Sequence, residues 1–304
     1  MGIASTSFHL FRPTDTYDFL EKCAAIGAGG IQHSLSSLEP AYLKKLRRRA
    51  EELGMYIELM ASPSRENFPA VVAAAQELGA LYIRGTAPGP RRYEAFPTLE
   101  AWKKAAADSQ AVIERNVRVL ERHKITLALE NHRDYTVEEI ARLLKAFNNE
   151  YVKCCVDFGN NLALLDDPME TVETLAPFAA ATHLKDAALK ETPDGFLLAD
   201  LPLGTGILPL KEMIAVITKV NPKIRMSLEM MTRDATPTPC LTDKYHAVMP
   251  GRSGLQLART LRLARDHADI RMPEVSRLDR DAKLRLEEDN VKKSFDFARA
   301  ELGL

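Results

Sequence analysis

Residues 126–160 read TLALENHRDYTVEEIARLLKAFNNEYVKCCVDFGN, and the order of elements in that stretch decides the fold. A short apolar run over 126–130 ends at Glu130, a helical pattern follows over 137–147, and a second apolar run over 154–157 ends at Asp157. The same unit repeats in both directions. Upstream, candidate strands fall at 3–7, 30–33, 56–60 and 81–84, each followed by a helical pattern, at 15–26, 40–53, 68–78 and 99–123. Downstream, helical patterns at 168–176 and 210–220 precede strands at 182–185 and 226–229. The longest helix carries Trp102, Ala106, Ile113, Val117 and Leu120 at spacings that give one apolar face. Gly54 and Gly79 mark helix-to-strand joints, where a left-handed cap turns the chain.

Alternating strands and helices imply a parallel sheet with right-handed crossovers. Eight such units favour closure, and no GxGxxG follows the first strand, which argues against an open dinucleotide-binding sheet. The expected fold is therefore α/β, a single (β/α)8 TIM barrel over residues 1–304 in which 270–304 form a helical C-terminal extension. Two stretches exceed a minimal barrel. Residues 189–208, with the turns Thr192-Pro-Asp-Gly195 and Leu203-Gly-Thr-Gly206, separate the seventh strand from its helix. In the tail, 254–263 reads as the barrel-closing helix. The charged, partly amphipathic 277–302 then packs on the barrel's outside or bottom, or makes a dimer contact.

Bulk properties narrow the function classes. Apolar residues make up 46% and charged ones 27%, as in globular proteins with a large core. A formal net charge of −1 gives no basic footprint for nucleic acid, and no apolar run approaches the ~20 residues that span a bilayer. The start, MGIASTSFHLF, lacks the basic and apolar regions of a secretory signal. Cys23, Cys154, Cys155 and Cys240 show no CxxC spacing and read as reduced thiols, which makes a cytoplasmic location the expectation. The partner expected is a small sugar or sugar acid, with no nucleic acid and no membrane; the tail leaves room for a homo-oligomer.

The chemistry sits at the last four strand ends, which read ALEN (Glu130), CVDFGN (Asp157), THLKD (His183) and SLEM (Glu229). Barrel sites form where strands end and βα loops begin. Neighbouring strands lie about 5 Å apart, so four consecutive strand ends bring three carboxylates and one imidazole to one point. A lone strand-end carboxylate is often a helix cap or a loop ion pair, but four ligand types in a row are not explained that way. Three oxygen donors with one nitrogen suit a hard divalent ion: Mn2+ first, with Mg2+ or Co2+ as alternatives. Zn2+ also fits, although it more often collects His and Cys.

With these residues in view, the chain resembles the xylose isomerase-like TIM barrels, the group of sugar phosphate isomerases/epimerases. It is nearest the branch of ketose 3-epimerases and inosose dehydratases. The Glu–Asp–His–Glu order on strands five to eight carries the resemblance, supported by Glu130-Asn131-His132, by His183-x-Lys185-Asp186 and by the Leu203–Gly206 turn. The resemblance implies that Glu130, Asp157, His183 and Glu229 bind one divalent metal, and that Glu130 and Glu229 also exchange protons with substrate. Such chemistry is physically coherent. An ion on a sugar carbonyl and its neighbouring hydroxyl stabilises the enediolate left when the C–H between them loses its proton, and two glutamates can remove and return that proton.

One departure stands out. Ketose 3-epimerases of this group carry a substrate-binding histidine three residues after the strand-six aspartate, where this chain has Asn160. The expected activity is a metal-dependent isomerase or epimerase on a keto- or aldo-sugar. The alternative is a lyase on the same scaffold: a dehydratase, a 3-oxo sugar acid decarboxylase or a 3-keto-glycoside eliminase. Asn160 moves weight toward the lyase. A non-catalytic carbohydrate-binding subunit forms a third class, disfavoured by the intact ligand set. Candidate substrate contacts are Arg84, His132, Asn160, Lys185, Arg233 and His9, with His33 weaker. Lys185, Arg84 and Arg233 read equally well as rim ion pairs, and together as a seat for an acid. The long segment 237–251 suits a lid in which Tyr245 or His246 reaches the pocket.

Overall fold

A computed structural model describes every residue from 1 to 304. Seven strands come first: β1 (Gly2–Ala4), β2 (Gly30–His33), β3 (Tyr56–Met60), β4 (Tyr82–Gly85), β5 (Thr126–Glu130), β6 (Val152–Asp157) and β7 (Ala179–Leu184). An antiparallel hairpin, β8 (Asp186–Thr192) and β9 (Gly195–Leu201), then precedes β10 (Arg225–Leu228), and β11 (Thr236–Thr238) follows. The first seven strands and β10 form a closed parallel barrel, as the alternation of elements predicts. Closure is explicit in the register, because Ile3 of β1 is paired with Ile31 of β2 on one side and with Leu228 of β10 on the other.

Side chains alternate along each strand between the barrel interior and the helices outside. On β3, Ile57 and Leu59 join the apolar core under the helices, whereas Tyr56 and Glu58 turn inward. The Tyr56 ring fills the barrel floor at positions kept clear by glycine: a Cβ on Gly2 or Gly30 would come within 2.3 Å of it. Above it lies a layer of Tyr82, Ala128, Cys155 and Ala181. The next inward positions, at the C-terminal ends of the strands, hold the polar residues described below.

Three regions differ from the sequence reading. The 189–208 stretch holds most of the hairpin, which starts at Asp186 and joins β11 in a separate three-stranded sheet. Lys185 is the one residue between β7 and β8. Asp186 then binds the loop back, accepting from the backbone N–H groups of Ala187 (2.9 Å), Gly204 (3.0 Å), Gly206 (2.8 Å) and Leu208 (3.0 Å). A Cβ at Gly206 would lie 2.3 Å from Asp186 Oδ1, so the turn needs glycine there.

The helix Gly254–Asp266 does not close the barrel. It lies against β8 and β9, with Arg265 bonded to Glu191 at 2.6 Å. Closure belongs instead to the helix Arg280–Phe297. It meets the helix Thr16–Ile26 through Lys22–Glu288 (2.7 Å), and the π-helical turn that continues it reaches the helix Leu210–Val220 through Lys211–Glu301 (2.9 Å). That is the path an eighth barrel helix takes between β10 and β1. Its polarity is misleading in sequence because Glu287, Asn290 and Ser294 are buried along with Val291 and Phe295. Glu287 accepts from Leu10 N (2.7 Å) and Phe11 N (3.0 Å).

Finally, 237–251 is no lid. It contains most of β11 and the helix Asp243–Val248. Tyr245 is fully buried, packs on Tyr93 and donates to Ala163 O at 3.0 Å. His246 is bonded to Cys240 O at 2.9 Å. Neither reaches the barrel mouth. Trp102 packs its helix, edge-on to Tyr135 and beneath Arg92.

Candidate active site

Glu130 ends β5, Asp157 ends β6, His183 is next to last in β7 and Glu229 directly follows β10. All four are buried, and one ligand-type atom from each lies within 4.8 Å of the other three. His183 Nδ1 is the hub, 3.3 Å from Glu130 Oε1, 3.4 Å from Glu229 Oε2 and 3.9 Å from Asp157 Oδ2. The opposite ring nitrogen, Nε2, is 2.8 Å from Gln32 Oε1. An amide oxygen can only accept, so Nε2 carries a hydrogen and the ring faces the carboxylates with Nδ1. Gln32 escaped the sequence reading; the signal was a single amide in the otherwise apolar first three residues of β2, GIQ.

Backbone and neutral side chains fix the carboxylates. Asp157 Oδ1 accepts from Gly159 N (2.9 Å) and Asn160 N (2.7 Å). Asn131 clamps the Asp157 backbone from both sides, accepting from its N–H at 2.7 Å and donating to its carbonyl at 2.9 Å. Thr6 donates to Glu229 Oε1 and Asn160 Nδ2 to Glu130 Oε1, each at 3.0 Å. Two oxygens are left: Glu130 Oε2 and Asp157 Oδ2 are buried with no aligned hydrogen-bond donor.

Cations face those oxygens. Lys185 Nζ is 2.9 Å from Asp157 Oδ2 and 2.8 Å from Glu229 Oε2, and Arg84 Nη2 contacts Glu130 Oε2. Burial disfavours charge on Lys185, but Asp157 and Glu229 outweigh it and raise the ammonium above its ordinary range. Burial likewise opposes charge on Glu229, yet Lys185 and His183 hold that carboxyl well below the usual range. Asp157 is pushed up by burial, with Lys185 pulling against it.

The other predicted contacts divide. Asn160 is inside the cluster, its Oδ1 3.4 Å from Lys185 Nζ. His132 stands beside it with Nδ1 buried and unbonded; burial, then Arg84 and Arg133, push it down to about 3, so the ring is neutral. Arg233 lies at the mouth, 3.3 Å from Asp200. His9 sits on the rim, tied to Thr232 O at 2.9 Å and outside the four-residue cluster. His33 is buried between Thr16 Oγ1 (3.1 Å) and Pro13 O (3.2 Å), which accounts for both its nitrogens. Arg133, on the loop after β5, is a further buried cation that the sequence reading did not single out.

The donor set fits a divalent ion. Three carboxylates and one imidazole nitrogen converge, two of the oxygens lack an aligned donor, and no cysteine is among the converging ligand atoms, Cys155 touching His183 from the layer beneath. Fold and cluster together define a (β/α)8 protein with a four-residue ligand-type cluster at the C-terminal rim of its barrel. The chain matches the xylose isomerase-like TIM barrel model over residues 20–250 and belongs to that family.

Among curated proteins it is 28% identical over 196 residues to the 3-oxo-isoapionate decarboxylase of Pectobacterium atrosepticum, covering 62% of this chain and 68% of that one. A crystal structure of D-psicose 3-epimerase with D-fructose superposes at a TM-score of 0.66 and 17% identity, over 100% of this chain and 99% of that one. The IolI protein with a bound zinc atom gives 0.56 and 17%, over 88% and 98%. At these identities the structural likenesses speak for the fold. The four buried cysteines are free thiols, and no helix is long and apolar enough to cross a membrane.

Proposed function

We propose that this chain is a divalent-metal-dependent lyase that decarboxylates a 3-oxo sugar acid. The observation that carries the reading is Lys185, a buried ammonium 2.8–2.9 Å from two of the four ligand-type side chains. Loss of carbon dioxide from a 3-oxo acid leaves an electron pair that delocalises onto the ketone oxygen. That oxygen needs positive charge beside it, and the carbon needs a proton afterwards. A bound ion, Mn2+ by donor chemistry with Mg2+, Co2+ or Zn2+ as alternatives, supplies Lewis acidity at the carbonyl. Glu130, Asp157, His183 and Glu229 hold it. Lys185 keeps its charge in the dry pocket and stabilises the developing enediolate oxygen. Glu130 or Glu229, arriving from different strands, moves the proton to carbon. The similarity to a 3-oxo acid decarboxylase supports the same chemistry, as does the neutral Asn160 beside Glu130.

The second reading is an isomerase or epimerase through the same enediolate. It is favoured by the two glutamates in one cluster. One experiment separates the two. Metal-loaded protein is incubated in D2O with 3-oxo sugar acids and with neutral ketoses, and headspace carbon dioxide and product mass are followed. Release of carbon dioxide with one deuterium in the shortened product supports the lyase. Deuterium exchange with no loss of mass, from ketoses alone, sinks it in favour of the epimerase.

A further inference from the structure

We infer that Arg133 is the residue that binds the carboxylate of the substrate; this rests on the acidic substrate class proposed above. Arg133 is 2% exposed and heads the ranking of large fully buried side chains. Its one side-chain hydrogen bond runs from Nη1 to Thr236 Oγ1, at 2.7 Å. No carboxylate lies within ion-pair distance of it. The other well-buried arginines each have one: Arg92 has Glu139 at 2.7 Å, Arg252 has Asp166 at 2.5 Å, and Arg84 has Glu130. Arg133 is thus the exception.

Its surroundings deepen the imbalance. The charged side chain near it is a second cation, Arg233, whose own ion pair is with Asp200 at 3.3 Å. A guanidinium taken out of water without a counter-charge is strongly unfavourable, so its retention at the mouth points to an anion that arrives with the ligand. The planar fork suits a carboxylate, which accepts two parallel N–H bonds.

Placement agrees. Arg133 is three residues past Glu130, and Thr236 pins it to β11, which is itself paired to β9. Its neighbour His132 presents a buried Nδ1 with no partner. A carboxylate on Arg133 with a hydroxyl on His132 would lay a hydroxy acid across the mouth, its carbon chain directed at the Glu130–His183 cluster. An arginine with no carboxylate partner and, one residue before it, an unbonded ring nitrogen are what a polyhydroxy acid satisfies and a neutral sugar satisfies only in part.

The test uses full-length protein, with and without Mn2+, titrated calorimetrically with D-gluconate and with its neutral counterpart D-glucitol. Wild type is expected to bind gluconate at least tenfold tighter in both metal states. Arg133→Met should weaken gluconate about tenfold or more and leave glucitol unchanged. Arg133→Gln, which keeps a donor for Thr236, should do the same and serves if the Met variant is unfolded. Less than tenfold discrimination by wild type, or unchanged gluconate affinity in a folded variant, overturns the inference. Failure of the reaction reading is separate: if 3-oxo acids release no carbon dioxide but Arg133→Met still loses gluconate, acid recognition stands without decarboxylation.

Discussion

The two ends of the barrel interior each bury carboxylates, and they treat them in opposite ways. At the floor, Glu58 is ion-paired to Arg225, and its other oxygen accepts from Leu81 N (3.2 Å) and Tyr82 N (3.0 Å). The Arg225 guanidinium also stacks on the Tyr56 ring, 4.5 Å from its centroid. Both oxygens there are bonded to fixed donors. At the mouth, Glu130 and Asp157 are equally buried, yet the oxygen that each leaves without an aligned donor lies against a cation, Arg84 or Lys185, inside a cluster of ligand-type residues. Burial of a carboxylate therefore does not mark function in this molecule. What marks it is three carboxylates and a histidine converging on one point with Lys185 and Arg84 against them, rather than a single carboxylate closed by one arginine and the backbone. The division matches the general rule that the C-terminal face of such barrels does chemistry and the N-terminal face holds the fold.

The comparison can be broken most directly with Glu130→Gln. This keeps shape and removes charge, so turnover should fall by about 10³-fold or more, the scale of losing a general base that also holds the ion. Thermal unfolding of the metal-free protein should move little. Loss of stability with activity retained would show that the mouth is structural too.

At the floor the reverse is expected. Arg225→Met strands a buried carboxylate and should cost about 3–5 kcal/mol at pH 8, with ligand binding at the mouth kept. This loss depends on pH. Burial raises Glu58 to about 7 even with Arg225 and the backbone donors pulling it down. A carboxyl raised on folding holds its proton more tightly in the native state, so its contribution to stability falls as pH rises from the unfolded value, near 4.5, through the folded one. Without Arg225 that decline should steepen and extend above pH 7. Urea unfolding of the metal-free variant at pH 5 and pH 8 measures it, and a penalty equal at both values would contradict the assignment.

The smallest effect sharpens the boundary between the two ends. Gln32→Ala removes the acceptor on His183 Nε2 without touching any ligand-type residue. Metal affinity should drop about 10–100-fold, as for other partners of metal-binding histidines. Calorimetric Mn2+ titration reads this, and an unchanged affinity would mean that the ring holds its orientation by packing alone.

Much of the mouth was legible because the barrel rule is local. A ligand-type residue that ends an apolar run projects at the rim, and Glu130, Asp157, His183 and Glu229 each do so. Lys185 followed from the period of two. Gln32 and Arg133 were harder for opposite reasons. Gln32 is one polar residue inside a short strand, and an isolated amide carries no pattern. Arg133 lies in a loop, where arginine ordinarily faces water, and its anchor Thr236 belongs to β11, a strand outside the eightfold repeat. The hairpin was half visible in its Pro-Asp-Gly turn, but strand pairing outside the barrel has no counterpart in the eightfold repeat. Tyr245 sat in a polar, proline-punctuated segment and still went to the interior, because one carbonyl, Ala163 O, satisfies its hydroxyl.

The helix that closes the ring has a bearing on how the chain reaches this state. Glu287 binds the backbone of Leu10, a pairing across 277 positions, and β1 lies between β2 and β10. The earliest strand therefore has its second neighbour, and its covering helix, at the far end of the sequence. Loop closure over such separations is slow. During synthesis β1 keeps an open edge until β10 at 225–228 has emerged and lacks its covering helix until residues beyond 280 follow, so the ring is closed late, by β1 meeting β10, rather than by growth from the N-terminus alone.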